Sequence, residues 1–480
     1  MRWRGPLFVV TLLALGGCAA GPDYVPPKSY QSIEQAPLNL SKWWERFGDA
    51  QLNAQVERAL QSNYDIVAAR ATVREARAQR DVARSAFLPS VNLESGYTFA
   101  DQSINSPAGA GPLISAGLID RDVEFWSSTL SGRWDLDLFG GTRRLNEAAR
   151  ARVQQSIAAR DAVALGVVAE TVSAWFELRG ALARRANFRN NLTLQSQSLE
   201  IIEKRVAIGL ARDLDALRAR GQREAVASVL PTLDAAIDAA ARRLAVLGGR
   251  PLDSMTANAD LLGADGVFAA LSFDDVPSVP AASLRARPDV AAAERNLAAV
   301  VAELGVSEAA FFPKLWIGAS AGLESASLAD LVQGNSRVLG LAPRLSLPIF
   351  QGGRLRANQR AARARADAAY ADLENVLLAG LAEAHSARAA VDGQRQSLQH
   401  LRASAAASAR AQGIAQGLYD RGLGDFLSLL DAQRERIARD DEVVQAQTRL
   451  RLELVRLFTS LGGDASQLLA IETASATLEE

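Results

Sequence analysis

The chain has 480 residues, a formal net charge of −1, two histidines and a single cysteine. The balanced charge excludes the basic surface typical of nucleic-acid-binding proteins. One cysteine and two histidines are too few ligands for a Cys/His zinc site within one chain. The sequence also lacks a glycine-rich phosphate-binding loop, so the composition indicates neither an enzyme nor a cofactor-binding protein.

The N-terminus predicts an exported lipoprotein. Arg2 and Arg4 precede an apolar run at residues 7–15, which is too short to span a bilayer and has the arrangement of a signal peptide. The sequence Leu15-Gly16-Gly17-Cys18 then resembles the lipobox of bacterial lipoproteins. This resemblance implies acylation of Cys18 after cleavage, and Ala19 in the next position favours sorting to the outer membrane. The acyl chains would hold the mature chain in membrane lipid.

Sequence landmarks of the first half of the chain return in the second half, which indicates an internal duplication. The landmarks of the first half are, in order, Asn63-Tyr64-Asp65-Ile66, Ala86-Phe87-Leu88-Pro89, Gly209-Leu210 and Leu247-Gly248-Gly249. Their counterparts in the second half are, in the same order, Arg287-Pro288-Asp289-Val290, Ala310-Phe311-Phe312-Pro313, Gly422-Leu423 and Leu461-Gly462-Gly463. We therefore predict a signal peptide at 1–17, a lipid-anchored segment at 18–62, repeat 1 at 63–249, a connection at 250–286, repeat 2 at 287–463 and a tail at 464–480.

Each repeat contains two segments that alternate between apolar and polar residues, as transmembrane β-strands do. The apolar positions are Val91, Leu93, Tyr97 and Phe99, then Trp126, Leu130, Trp134, Leu136 and Leu138, then Leu315, Ile317, Ala319, Ala321 and Leu323, and finally Leu339, Leu341, Leu345, Leu347 and Ile349. A water-soluble sheet packed on a core shows the same alternation. The lipobox favours the membrane interpretation.

Four strands cannot close a barrel by themselves. An open sheet in lipid leaves unsatisfied backbone groups along both edges, and each costs several kcal/mol. Other copies of the chain must therefore complete the barrel. Three copies give twelve strands, enough for a water-filled interior, whereas two copies give eight, which side chains nearly fill.

Long helices are predicted at residues 143–207 and 354–418, because both stretches are rich in alanine, arginine and leucine and lack proline. At 1.5 Å per residue each reaches on the order of 100 Å. A coiled-coil seam repeats every seven residues at Leu377, Ala384, Val391, Leu398 and Ala405. Shorter helices are predicted at 64–86, 213–247, 288–310 and 425–461. The predicted fold is mainly α with transmembrane β: a duplicated module forming a trimeric 12-stranded β-barrel that continues into a long periplasmic α-helical barrel.

These features resemble the outer membrane factors, the TolC-like channels of tripartite efflux pumps, and especially their lipoprotein branch. The resemblance covers nearly the whole mature chain. It is carried by Cys18 followed by Gly21-Pro22-Asp23-Tyr24, by Trp43-Trp44 and Phe47-Gly48-Asp49, by Arg287-Pro288-Asp289-Val290, and most specifically by residues 419–434, YDRGLGDFLSLLDAQR.

The resemblance implies two sets of functional residues. The periplasmic helix turns that meet a hairpin adaptor correspond to Gly209, Leu210 and Ala211 and to Gly422, Leu423 and Gly424. The pore constriction corresponds to Leu427, Asp431 and Arg434, with Asp215 as the partner from repeat 1 and Ser428 where some relatives have a second aspartate.

Ordinary structural roles are open for several acidic residues of this region. Asp213 and Asp425 lie at predicted helix starts, where capping is the simpler explanation. Asp431 and Arg434 could also form an ordinary surface pair on one helix face.

The function implied by the resemblance is that of an outer membrane exit duct. As a homotrimer in outer membrane lipid, the protein would conduct drugs or other small molecules passively, together with a periplasmic adaptor and an inner-membrane RND-type transporter. No cofactor, metal, catalytic residue or nucleic-acid partner is expected. A channel for type I protein secretion is the alternative, and a periplasmic adaptor and a diffusion porin are more distant rivals.

Overall fold

The computed structural model describes residues 19–31, 40, 42–104, 111–250 and 281–463. Its helices are α1 (Lys28–Gln31), α2 (Ala50–Ser62), α3 (Tyr64–Ser85), α4 (Gly111–Ser115), α5 (Gly141–Ala207), α6 (Asp213–Ala227), α7 (Val229–Leu247), α8 (Pro288–Ala309), α9 (Arg354–Asp420) and α10 (Phe426–Ser460). Its strands are β1 (Ser90–Asp101), β2 (Asp122–Leu136), β3 (Lys314–Ser325) and β4 (Arg337–Ser346). The predicted signal peptide, Cys18 and the tail lie outside the described residues.

The order of elements repeats as the sequence predicts. A helix, two strands and a 67-residue helix occur as α3, β1, β2 and α5 and again as α8, β3, β4 and α9. The second repeat ends in the single helix α10, whereas the first ends in two helices, α6 and α7. One helix over 213–247 was therefore the wrong prediction. Pro231 explains the break at Ser228, because proline has no N–H to donate to the carbonyl of Ala227.

The four strands form one antiparallel sheet in the order β1-β2-β3-β4. Its register places predicted apolar residues side by side, with Leu93 opposite Leu130, Leu130 opposite Ala321, and Ala321 opposite Leu339. The polar residues of the alternating pattern therefore share the other face. One face of the sheet is apolar across all four strands, as the alternation predicted.

Two strands end earlier than the alternation suggested. β2 ends at Leu136. The next residue, Asp137, accepts hydrogen bonds from the N–H groups of Thr142 (3.0 Å) and Arg143 (2.8 Å) at the start of α5 and so belongs to the helix start. β4 ends at Ser346, two residues before Pro348, which cannot donate a ladder hydrogen bond. Leu138, Leu347 and Ile349 thus lie beyond the strands.

Two compact units divide the described residues. Unit 1 comprises the described residues of 1–26, 74–154 and 295–371, and it contains the whole sheet. Unit 2 comprises the described residues of 27–73, 155–294 and 372–463. Within unit 2 four positions of the predicted coiled-coil seam, Leu377, Ala384, Val391 and Leu398, are buried. The fifth, Ala405, is only half-buried.

The main hydrophobic core belongs to unit 2 and includes the aromatic motif before repeat 1. Trp43 stacks on Phe458 with ring centroids 5.3 Å apart, and Phe47 packs edge-on against Phe176 at 4.7 Å. Asp49 caps α2, because its carboxylate accepts hydrogen bonds from backbone N–H groups of the first turn, including that of Leu52. It also accepts a hydrogen bond from the Trp175 indole at 2.9 Å. These motif residues therefore hold the core together.

Each repeat is closed by a buried side chain at its first position. Asn63 donates from Nδ2 to the carbonyl of Leu247 (3.1 Å), at the end of α7. At the corresponding position of repeat 2, Arg287 donates to the carbonyl of Ser460 (2.7 Å), at the end of α10. Asparagine and arginine thus make the same connection, between the first helix of a repeat and its last one.

Among the described residues, no helix combines the length and the apolar character needed to cross a membrane.

Candidate functional site

The two long helices end in matching turns, at which the predicted adaptor contacts lie. At the end of α5, Gly209 N–H donates to Val206 O (2.9 Å) and Leu210 N–H to Arg205 O (2.8 Å). At the end of α9, Gly422 N–H donates to Tyr419 O (3.0 Å) and Leu423 N–H to Leu418 O (2.9 Å). Both are Schellman turns, which place glycine in the left-handed region; Gly209 and Gly422 have φ values of 73° and 74°.

A leucine stands exposed at each turn. Leu210 and Leu423 both have 74% of their surface open to solvent. In many Schellman turns the residue after the glycine packs back onto the helix, but these leucines do not. Ala211 and Gly424, the last members of the predicted contact set, are half-buried. Each turn therefore presents one apolar side chain to solvent.

Helix α10 begins directly after the second turn and carries the predicted constriction. Its N-cap is Asp425, whose carboxylate accepts from the backbone N–H of Ser428 at 2.8 Å. Hydrogen bonds from the hydroxyl and then the backbone of Ser428 lower the pKa of the Asp425 carboxyl below its ordinary value. Capping by Asp425 is therefore confirmed, and Ser428 contributes the N–H that the cap binds.

One face of α10 is exposed along its first three turns. Leu427, Ser428, Asp431 and Arg434 all lie on this face, as their spacing of three and four residues requires. The opposite face is buried through Phe426, Leu429, Leu430 and Gln433. The structure thus brings together four of the five predicted constriction residues on a single surface.

Arg434 connects this surface to helix α6. Its Nε donates to Gln222 Oε1 at 2.7 Å, and its other guanidinium nitrogen lies 3.9 Å from Asp431 Oδ1. Nearby, Gln195 of α5 donates to Gln433 of α10 at 3.1 Å in a buried contact. Neither Gln195 nor Gln222 could be predicted as part of this surface, because neither lies in a motif. Gln433 could have been noticed, since it falls inside the 419–434 motif.

Asp215 lies apart from the exposed face of α10. Its side chain is only 8% exposed, and its carboxylate lies 3.3 Å from Arg212 Nε and 3.8 Å from Arg218. Within the described residues, no hydrogen bond or ion pair joins Asp215 to Asp431 or Arg434. One carboxylate oxygen of Asp215 is buried without a hydrogen bond.

Asp213 does not cap a helix, contrary to the sequence prediction. The N-cap of α6 is Arg212, whose side chain makes no capping hydrogen bond, and Asp213 is the first residue of the helix. The chain extends from Gly209 through three further residues before α6 begins, so the helix starts one residue earlier than a cap at Asp213 requires. Asp213 still places a negative charge in the first turn, where the helix dipole favours it.

Comparison with known proteins assigns the chain to a family. The family model described as outer membrane efflux protein matches residues 56–250 and 279–463. The outer membrane protein OprJ of Pseudomonas aeruginosa is 31% identical over 473 residues, which cover 96% of each chain. The toluene efflux pump outer membrane protein TtgF of Pseudomonas putida is 30% identical over 480 aligned positions, covering 95% of this chain and 96% of the relative.

Solved structures give the same result. The structure of the outer-membrane channel OprN matches with a TM-score of 0.83 and 31% identity, over 93% of this chain and 99% of the other. These findings confirm the predicted fold class, the outer membrane location and the family resemblance. The relatives are channels rather than enzymes. The chain therefore belongs to the outer membrane efflux protein family.

Proposed function

We propose that three copies of the chain form the outer membrane exit duct of a tripartite efflux system. The open sheet is the observation that carries this proposal. Within the described residues β1 pairs only with β2, and β4 only with β3, so two strand edges have no partner among these residues. Backbone groups on these edges must be paired before the sheet can lie in lipid. Three four-stranded sheets joined edge to edge give a barrel of about twelve strands, wide enough for a water-filled interior.

The apolar face of the sheet supports insertion in lipid. Leu93, Leu339 and Leu341 are largely exposed on it, and side chains of this kind face the hydrocarbon in membrane barrels. The polar face then lines the interior. The duct has no chemistry to perform, and the energy for transport comes from an inner-membrane RND-type transporter.

A periplasmic adaptor meets the duct at the two Schellman turns. Leu210 and Leu423 each extend from a turn that is rigid because its own hydrogen bonds are satisfied. The partner therefore gains apolar burial without first having to order the turn. The flanking residues Gly209, Ala211, Gly422 and Gly424 are small and allow the close approach of another backbone.

The exposed face of α10 forms the constriction of the duct. Leu427 and Asp431 are one helical turn apart, so in a trimer they form a ring of three leucines beside a ring of three carboxylates. The carboxylates attract cations and repel one another, while the leucines resist wetting. Arg434 offsets part of this repulsion and ties α10 to α6 through Gln222. Ser428 adds a hydroxyl to the same face, and Asp215 stabilises the start of α6 behind it.

Single-channel recording in planar bilayers tests this function. The purified protein should form cation-preferring channels of low conductance, and the double variant Leu427→Ala/Asp431→Ala should conduct at least several times better because both barriers are gone. The variant should also show weaker block by divalent cations.

The matched control is Leu378→Ala/Asp372→Ala, which removes the same two side chains from exposed positions of α9. Its conductance should equal that of the parent. If the α10 variant conducts no better than this control, the constriction lies elsewhere. If the parent protein forms no channels at all, the proposed duct itself is wrong.

A further inference from the structure

A groove in unit 1 has a lining that suits a phosphate group. It lies between α5 and α8 and has a volume of about 330 Å³. Its polar lining includes Arg143, Arg150 and Gln154 from α5 and Arg295 from α8, and its aromatic lining is Tyr24 and Phe87. Three arginines thus line one cavity, and guanidinium is the side-chain group best shaped to bind phosphate oxygens in pairs.

The charge of the groove is predominantly positive. Glu147 is the one carboxylate among the described residues of the lining, and the buried Arg144 donates to it at 2.8 Å. Arg143 is 3.6 Å from Asp137, while Arg295 donates to the neutral amide of Gln154 at 2.9 Å. Arg150 lies two turns after Arg143 on the same side of α5 and is exposed. The three arginines of the lining therefore outnumber its one carboxylate, and an anion that enters the groove meets a net positive charge.

The groove lies where the sheet meets its helices. Phe87 comes just before β1, and Arg143 is in the first turn of α5 after β2. All four strands join their helices at this end of the sheet, so in an outer membrane channel it is the periplasmic boundary of the hydrocarbon layer. Arginine and aromatic side chains are favoured at this depth of a membrane.

The N-terminal segment is fixed beside the groove. Ala20 N–H donates to Phe139 O at 2.9 Å, and the Arg144 guanidinium donates to Gly21 O (3.0 Å) and Asp23 (2.7 Å). Tyr24 then lies with its ring 5.9 Å from the Arg295 guanidinium carbon. The segment that follows Cys18 in sequence is therefore held at the same level as the arginines.

We propose that this groove binds the phosphodiester headgroup of a phospholipid in the periplasmic leaflet of the outer membrane. The arginines bind the phosphate oxygens, and the Phe87 ring with the neighbouring exposed Leu88 contacts the start of the acyl chains. The bound lipid seals the junction between sheet and helices. The inference depends on the outer membrane location of the chain and is independent of what the duct conducts.

Native mass spectrometry of the detergent-purified protein tests the proposal with phosphatidylglycerol as the probe. Diacylglycerol with the same chains lacks the phosphate and serves as the comparison lipid. The double variant Arg150→Ala/Arg295→Ala should bind phosphatidylglycerol at least tenfold more weakly than the parent, while its weak binding of diacylglycerol stays unchanged. Replacing both residues by lysine should restore part of the affinity.

The matched control is Arg363→Ala/Arg365→Ala, which removes two exposed arginines of unit 1 outside the groove. Equal phosphatidylglycerol binding by the groove variant and this control overturns the proposal, as does equal retention of the two lipids by the parent. Displacement of phosphatidylglycerol by an equal concentration of inorganic phosphate overturns the lipid assignment and makes the groove a site for free phosphate. Planar-bilayer recordings of the same samples show whether a variant that has lost lipid binding still forms a conducting duct.

Discussion

The guanidinium of Arg287 connects the first helix of repeat 2 to its last one. Arg287 belongs to the Arg-Pro-Asp-Val motif by which repeat 2 is recognised, yet its role is to close the repeat. Its guanidinium donates to Asp289 (2.8 Å), Glu383 (3.0 Å) and Ser460 O (2.7 Å). Burial alone would lower the pKa of Arg287, but the two carboxylates raise it above its ordinary value. The side chain therefore stays charged at the end of α10, where the helix dipole favours a cation.

Replacing Arg287 by methionine should destabilise the protein by about 1–3 kcal/mol. The change leaves the Ser460 carbonyl without its donor and two carboxylates without their cation. The expected cost is below that of a fully buried pair, because both carboxylates are nearly half exposed and can be solvated. Thermal unfolding followed by circular dichroism measures the loss. Arg410→Met is the control, since Arg410 is exposed and its Nε bonds a carbonyl of its own helix. Equal stability of the two variants would contradict this role.

Four of the proposed constriction residues could be placed on one surface from the sequence, but their contacts could not be predicted. The spacing of Leu427, Ser428, Asp431 and Arg434 was enough to place them on one helix face. The bond from Arg434 to Gln222 joins residues 212 positions apart, and no local pattern reports such a pair. The burial of Asp215 could not be predicted from the sequence either, because it depends on how α6 packs.

At the level of elements, alternation predicted the four strands, and composition and periodicity predicted the helices of both repeats except α4 and the division into α6 and α7. The helices α1 and α2 before repeat 1 were not predicted either. Two errors occurred where a single residue outweighs the pattern. Pro231 divides the predicted 213–247 helix, and Asp137 ends β2 by capping α5. Apolar and polar residues continue to alternate beyond the ends of the strands, so the pattern alone could not show where strand pairing stops.

The matching turns at the ends of α5 and α9 lead to a prediction about adaptor binding. Leu423→Asp should weaken adaptor affinity at least tenfold, because a carboxylate buried at an apolar contact loses its hydration without gaining a partner. The turn itself should survive, since its hydrogen bonds come from the backbone. Pull-down of the purified adaptor with the variant, and susceptibility of cells that carry it, provide the two measurements.

Leu378→Asp is the control for this change. Leu378 is also a largely exposed leucine of α9, and it is far along the helix from the turn. Its replacement should leave adaptor binding unchanged. Normal adaptor capture by Leu423→Asp would show that the partner contacts another surface.

For the whole molecule, the duplication determines the architecture. Two copies of one module supply two pairs of strands, and the pairs join between β2 and β3 to give a single sheet. Repetition of landmarks made this arrangement predictable without knowledge of side-chain packing. The number of chains in the barrel could not be predicted in this way, because it depends on the curvature at which β4 of one copy meets β1 of the next. Neither strand length nor alternation determines that curvature.

Cysteine cross-linking of the free strand edges tests the trimeric duct most directly. One cysteine replaces Asn92 or Glu94 on β1, and another replaces Ala342 on β4, so that each chain carries both. The control pair, Ser131→Cys with Ser320→Cys, joins partners that already face each other within one sheet, and its oxidised product should remain a single chain. We predict that oxidation in native outer membranes joins the β1 and β4 edges into a covalent ladder that ends at three chains. The trimeric barrel would be contradicted by a ladder that ends at two chains or extends beyond three. It would also be contradicted if neither β1 cysteine formed a link while the control pair oxidised.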